Sequence, residues 1–307
     1  MNLRDLEYLI AVSETLHFGK AATRCFVSQP TLSGQIHKLE EELGVILFER
    51  TNRSVHITPM GQQIVAHARQ ILEQVETIRS LGSAQRDPLA GPLRIGAIHT
   101  LSPYLVPLFM VQLTEAHPEL LLELTEATTD QLLVQLAEHQ IDGALLATAP
   151  PGDEFKEIRL FREPFWLAHP RDHRLYEKDE ITLGDLKDER ILLLSQEHCL
   201  TGQVTSACRI AGRKIKSGSL PRLNASSLET LVQLVGMGLG VTLVPALSVH
   251  GGRLAVEGVV LRKVEIPDAF REVRLVYRSS FPRVTAIALM SKIIASVMPN
   301  TVTKIAT

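Results

Sequence analysis

The chain has 307 residues, 45% hydrophobic and 21% charged, with 19 Gly and 16 Pro. That length is about twice an ordinary ~150-residue domain and predicts two domains, and the composition excludes collagen-like, low-complexity and disordered classes. A net charge of −2 excludes attraction of the whole molecule to nucleic acid or anionic membrane, so any such binding must come from a local patch.

Residues 1–58 read as a small domain of short helices followed by a hairpin-like tail. HFGKAATRCF gives a short helix and a turn, with Cys25 on its apolar side as a core thiol. Leu32, Ile36, Leu39 and Leu43 then fall in one stripe of a second helix, giving helix-turn-helix proportions from Phe18 to His37. Ser28 is placed as its N-cap, with Pro30 tolerated in the first turn. The opposite face carries Pro30, Thr31, Ser33, Gly34, His37 and Lys38 and is small and polar. No acidic residue occurs between Thr15 and Leu39 or between Arg50 and Leu72. Phosphate contacts supply most non-specific affinity, and a short polar helix face fits the ~12 Å major groove. Ser28, Gln29, Pro30, Thr31, Ser33, Gln35, Lys38, Arg50 and Arg53 are therefore the candidate DNA contacts. Arg50 and Arg53 flank a turn from which guanidinium groups reach phosphate or minor groove. An ordinary polar surface is the competing reading. Glu40, Glu41 and Glu42 are expected on a solvated helix end beyond the duplex.

Residues 59–88 read as a linker helix and hinge. Thr58 and Pro59 supply an N-cap and first-turn proline, and Ile64, Ala68, Ile71, Val75 and Ile78 repeat at coiled-coil seam spacing. The pattern fits either a dimer seam or packing on the helix's own domain. GSAQRDPLAGP then reads as linker. From 89 to 307, LRIGAI, LLLELTEA and IDGALLAT look like buried strands alternating with helical segments, which predicts a parallel sheet. FWLAHP and RILLLS, the helix SSLETLVQLVGMGLG, VTLVPALS, EVRLVYR and a last helix make a second set. The region is expected to form two similar α/β lobes with a ligand-sized cleft between them. No phosphate loop, HExxH, GxSxG or EF-hand pattern is present. No apolar run reaches the ~18 residues of a membrane span, and the start MNLRDLEYLI lacks signal-peptide features, which predicts a cytoplasmic protein.

Three cysteines in 307 residues do not make a disulfide scaffold. Cys199 follows a predicted strand at a candidate helix start, where unpaired N–H groups and the helix dipole lower a thiol pKa. Cys208 stands nine residues on. Nine helical steps separate the two by about 13 Å, whereas a disulfide needs Cα atoms about 4.4–6.8 Å apart. A continuous helix therefore forbids the bond, and pairing requires the segment to bend or unwind. The chemistry open to such a pair is peroxide attack by the Cys199 thiolate to give a sulfenic acid that Cys208 resolves. Two unrelated structural thiols remain the alternative, and His198 fits either a thiol-orienting role or an ordinary surface histidine.

The segment DLEYLIAVSETLHFGKAATRCFVSQPTLSGQIHKLEEELGVILFERTNRSVHITPMGQ resembles the N-terminal domain of LysR-type transcriptional regulators. The likeness extends over essentially the whole chain. It implies an N-terminal winged helix-turn-helix (1–58, reading helices within 18–37), a linker and dimerisation helix (59–88), and a redox-sensing α/β domain (89–307) of two Rossmann-like, periplasmic-binding-protein-like lobes. Within that group, HCL followed by a second Cys resembles the branch of hydrogen-peroxide-sensing activators of oxidative-stress defence genes. The resemblance implies Cys199 as peroxidatic thiol, Cys208 as its resolving partner and His198 in the reaction pocket. It also implies Thr100 in IHTLSP and Thr129 in EATTDQ as hydroxyls holding peroxide, and Arg278 in LVYR as a nearby cation; both threonines equally suit helix N-caps. The implied partners are promoter DNA, hydrogen peroxide, RNA polymerase and a thiol reductant such as glutaredoxin or thioredoxin, in a dimer of dimers without cofactor or metal. Glu197 departs from the glycine expected before the His-Cys pair. A metabolite-sensing regulator with idle cysteines and a thiol peroxidase are the competing functions.

Overall fold

The computed structural model describes residues 1–50, 54–83, 89, 91–208 and 225–305. The chain divides into two units, Met1–Pro88 with Ala137–Gln140, and Leu89–Leu136 with Ile141–Thr307.

In the first unit, α1 (Leu3–Thr15) starts at an Asn2–Asp5 capping box, α2 (Phe18–Arg24) follows, and α3 (Gln29–Leu43) begins at Ser28, whose hydroxyl accepts the Thr31 N–H. Gly44, at φ 68°, ends α3 in the left-handed conformation that glycine adopts without a Cβ clash. Leu32, Ile36 and Leu39 are buried beside Leu9, Val12 and Leu47. Leu43, expected in the same stripe, is exposed because it sits in the last turn beyond the reach of the core. β1 (Phe48–Arg50) and β2 (Val55–Ile57) pair antiparallel as a two-stranded wing. α4 (Pro59–Ser83) opens at Thr58, whose Oγ1 accepts the Gly61 N–H at 2.9 Å. Along α4, Ala68 joins the unit's own core with Val65, whereas Ile71 and Ile78 are exposed.

The second unit is built on β3 (Gly91–Ile98), α5 (Ser102–Ala116), β4 (Leu120–Ala127), α6 (Thr129–Ala137), β5 (Gly143–Leu146) and β6 (Phe155–Pro170). It continues through α7 (Cys199–Ala207), α8 (Leu228–Gly236), β7 (Thr242–Pro245), α9 (Ala246–Val249), β8 (Val259–Lys263), β9 (Phe270–Arg278), α10 (Val284–Ser296) and β10 (Thr303–Lys304). The main sheet runs β10-β6-β9-β5-β3-β4. Only the β3–β4 and β3–β5 pairs are parallel; β9 is antiparallel to both β5 and β6. The sheet is thus mixed rather than parallel, because β9 lies between β5 and β6 and runs antiparallel to both. β6 serves both lobes, with residues 155–164 paired to β9 and residues 165–170 paired to β7 and β8. RILLLS is not a continuous strand. Its side chains Ile191, Leu192 and Leu194 are buried, but the backbone makes only isolated bridges, Ile191 to Val241 and Leu194 to Ala225. An apolar run signals burial without specifying backbone pairing. No helix among the described residues is long and apolar enough to cross a membrane.

Candidate functional site

On α3, Ser28, Gln29, Pro30, Thr31 and Lys38 are exposed, and Ser33 and Gln35 are half-buried. These side chains are therefore largely open to solvent, while Ser28 also caps the helix. Arg50 is more committed than a free arm: its Nη1 donates to Ser33 Oγ at 2.9 Å and its guanidinium lies 4.2 Å from the Phe18 ring centre. Glu40 is not on a solvated end. Its Oε1 accepts the Leu47 and Phe48 N–H groups at 2.9 and 3.2 Å, tying α3 to the wing, and its other oxygen is 3.6 Å from Arg50. Glu41 pairs with His37 and Glu42 with the N-terminal amine. Arg53 lies outside the described residues. Cys25 is half-buried rather than sealed in the core, at the C-cap of α2, and burial raises its thiol pKa.

The second cluster is in the α/β unit. Cys199 is the first residue of α7, half-buried, and Cys208 closes the same helix at its other end, with its N–H donating to Val204 O. All three cysteines are free thiols. Burial pushes the Cys208 thiol up to about 11, so it stays protonated at neutral pH. The continuous helix between them sets the pair about 13 Å apart, outside disulfide reach.

His198 precedes the helix and is buried, its ring edge-on to His99 with centres 5.7 Å apart. Burial, then the charge of His99, lowers its pKa against the opposing effect of Glu197, so the imidazole is held neutral. Its Nε2 has no hydrogen-bond partner. The exposed Glu197 carboxylate accepts Ser195 Oγ at 3.0 Å and stands 3.9 Å from that same Nε2.

His99 brings the end of β3, and with it Thr100, to the Cys199 turn. Thr100 caps no helix: α5 has Leu101 at its N-cap and no side-chain cap bond. Instead its Oγ1 and backbone O accept Arg271 Nη1 and Nη2 at 2.9 and 3.0 Å. Arg271 Nε in turn donates to Glu163 Oε2 at 2.8 Å, and Glu163 Oε1 accepts the Leu247 N–H at 2.7 Å, with both charged side chains fully buried. The cation at Thr100 is thus Arg271 and not Arg278. The two are seven residues apart on β9, about 23 Å along an extended strand, and Arg278 Nη1 donates to the Leu136 and Ile141 carbonyls. Thr129 Oγ1 is buried without a partner and caps no N–H.

Two features escaped the sequence reading although their phase was visible. In β9, Arg271 shares the inward parity of Val273 and Leu275, and in β6, Glu163 shares that of Phe161, Phe165 and Leu167. A charge in phase with buried apolar residues signals a buried partner. Gln203, one turn after Cys199, donates from Nε2 to Ala147 O at 2.7 Å while its Oε1 is buried and unpartnered. Among the described residues no group of three or more His, Cys, Asp or Glu is arranged to hold a metal ion.

Residues 3–62 match the family described as "Bacterial regulatory helix-turn-helix protein, lysR family", and residues 86–299 match "LysR substrate binding domain". The chain is 43% identical over 282 residues to the "Hydrogen peroxide-inducible genes activator" of Dickeya chrysanthemi, covering 92% of this chain and 91% of that protein. Identity and coverage are the same for the "DNA-binding transcriptional dual regulator OxyR" of Escherichia coli K12. Among solved structures, a full-length cysteine-to-aspartate variant of OxyR from Pseudomonas aeruginosa is similar at TM-score 0.82 and 37% identity, covering 97% of this chain and 99% of that one. A cysteine variant of Corynebacterium glutamicum OxyR with hydrogen peroxide bound gives TM-score 0.65 and 33% identity, covering 96% of this chain and 92% of that one.

Proposed function

The chain belongs to the LysR family of bacterial transcription regulators, and from that premise we propose that it is a hydrogen peroxide-responsive gene activator, a DNA-binding redox switch rather than an enzyme. The observation that carries the reading is the pair of thiols at opposite ends of α7, one half-exposed at the helix start beside a neutral histidine and the other buried and protonated.

In this reading, the Cys199 thiolate attacks one peroxide oxygen. The O–O bond breaks, a sulfenic acid forms, and hydroxide leaves with the electron pair. The Cys208 thiol then displaces the sulfenic hydroxyl as water and closes the disulfide, so one peroxide takes two electrons from two thiols. Unpartnered His198 Nε2, Thr129 Oγ1 and Gln203 Oε1, with Thr100 held by Arg271, are the polar groups available to a small hydrogen-bonding oxidant. Because the helix keeps the sulfurs apart, closure requires α7 to refold, and that change is the signal.

The domain boundaries follow the same reading: residues 1–58 read DNA, 59–88 link and dimerise, and 89–307 sense. Exposed Ile71 and Ile78 on α4 suit a helix seam in a dimer, with dimers pairing on promoter DNA. RNA polymerase, a cytoplasmic thiol reductant of the glutaredoxin or thioredoxin type and the cytoplasm itself complete the assignment. Peptide mapping after brief stoichiometric peroxide tests it: a peptide pair joined through Cys199 and Cys208 is expected. Two thiols left intact would favour a regulator answering to a small metabolite between the lobes.

A further inference from the structure

Thr201 lies on the third residue of α7, buried, two residues past Cys199. Its hydroxyl is within hydrogen-bond distance of two carbonyls of the preceding segment, Leu194 O at 2.9 Å and Ser195 O at 3.2 Å. The same turn is closed from the backbone by His198 N–H to Ser195 O and Thr201 N–H to His198 O. The hydroxyl therefore fastens the segment carrying His198 and Cys199 onto the first turn of the helix. Its donor lies inside the span that a Cys199–Cys208 bond would close, and its acceptors lie just before that span.

We propose that Thr201 is a positioning residue of the thiol switch: its hydroxyl holds the Cys199 turn in the helical thiol form and is released when the disulfide forms, so it sets how strongly the protein resists oxidation. The inference rests on the function proposed above. A helix whose ends are about 13 Å apart cannot keep its path through a disulfide, and Thr201 lies within the 199–208 segment whose path must change. A hydrogen bond made in one redox form only shifts the equilibrium between the two forms by its net contribution, on the order of three- to tenfold for a neutral pair.

The test is the thiol–disulfide exchange equilibrium of the full-length protein against dithiothreitol, in which two electrons and two protons pass from the reagent to the protein disulfide and the reagent cyclises. Thr201→Val keeps the shape and deletes the hydroxyl, and Thr201→Ser keeps the hydroxyl. Relative to the unaltered protein, the valine variant is expected to need about three- to tenfold more dithiothreitol to reach half reduction, with the serine variant within about twofold. The thiol form of the valine variant should also lose thermal stability while its disulfide form does not. Equal loss in both forms, or an unmoved exchange constant, overturns the proposal. If the valine variant does not fold, Thr201→Ala is read in its place with the same two outcomes. If the unaltered protein forms no Cys199–Cys208 disulfide, it is the proposed function that fails, and exchange is not measurable in any variant.

Discussion

Replacing Glu163 by glutamine changes one atom's worth of shape and removes the negative charge that faces Arg271 in the interior. Both side chains are fully buried, the Nε–Oε2 bond is 2.8 Å, and Arg271 also holds Thr100 through both terminal nitrogens. If the glutamine carbonyl keeps the Leu247 N–H, its NH2 group faces the Arg271 Nε–H, so the change removes both the charge and the acceptor of that bond. Leaving a buried guanidinium without its carboxylate costs about 3–5 kcal/mol. With a urea dependence of roughly 3 kcal/mol per M for a unit of this size, the midpoint should fall by about 1 M or more. The chain has one tryptophan, Trp166, three residues from Glu163 on β6, so its fluorescence reports unfolding of the α/β unit alone. Glu163→Leu combined with Arg271→Met should be less damaging than either single change, since no uncompensated charge remains. A Glu163→Gln midpoint within about 0.3 M of the parent, or a double variant worse than the sum of its parts, would refute the reasoning.

Cys199→Ser should abolish disulfide formation and peroxide-dependent activation while leaving DNA binding intact; activation that survives the change rejects the assignment of the attacking thiol. Cys208→Ser should still consume peroxide at Cys199 and advance to the sulfinic acid, seen as a gain of two oxygens by mass spectrometry. Binding to a palindromic duplex should weaken steeply with salt, and Lys38→Ala should reduce the slope by about one; a flat salt response would argue against phosphate contacts. His198 and His169 are both held below the ordinary histidine value of 6.5, chiefly by burial. The unfolded chain then binds protons that the folded chain refuses, so stability is full above that value and is lost as pH falls through it toward the depressed folded values. Trp166 fluorescence should give a lower urea midpoint below pH 6 than above pH 7, and His169→Phe should flatten the difference; a midpoint that rises on acidification contradicts the burial of neutral imidazoles.

Features set by short-range chemistry were legible. Ser28 and Thr58 cap the helices they were assigned to, because an oxygen two or three residues before a helical N–H needs no tertiary information. The bent-or-broken requirement on Cys199 and Cys208 came from spacing alone, and α7 supplies the helix it assumed. What spacing could not give is partnership across the chain. Arg271 and Glu163 are 108 residues apart, and only the β6–β9 register puts them opposite one another. Arg278, the cation that the LVYR motif suggests, sits at the other end of the same strand, where its side chain meets backbone carbonyls. A three-glutamate run suggests water around Glu40, whereas the chain folds back and offers it two N–H groups at the wing. Thr100 and Thr129 were plausible caps locally, and neither caps a helix.

The sealing of Cys208 has a temporal consequence. On the proposed chemistry, the first sulfur can react in the resting fold while its mate must wait for a helix to come apart, so a lag separates exposure from response. During that lag a second oxidant molecule competes for the same sulfenic acid. A short pulse ends in a reversible bond, and a flood ends in a dead sensor.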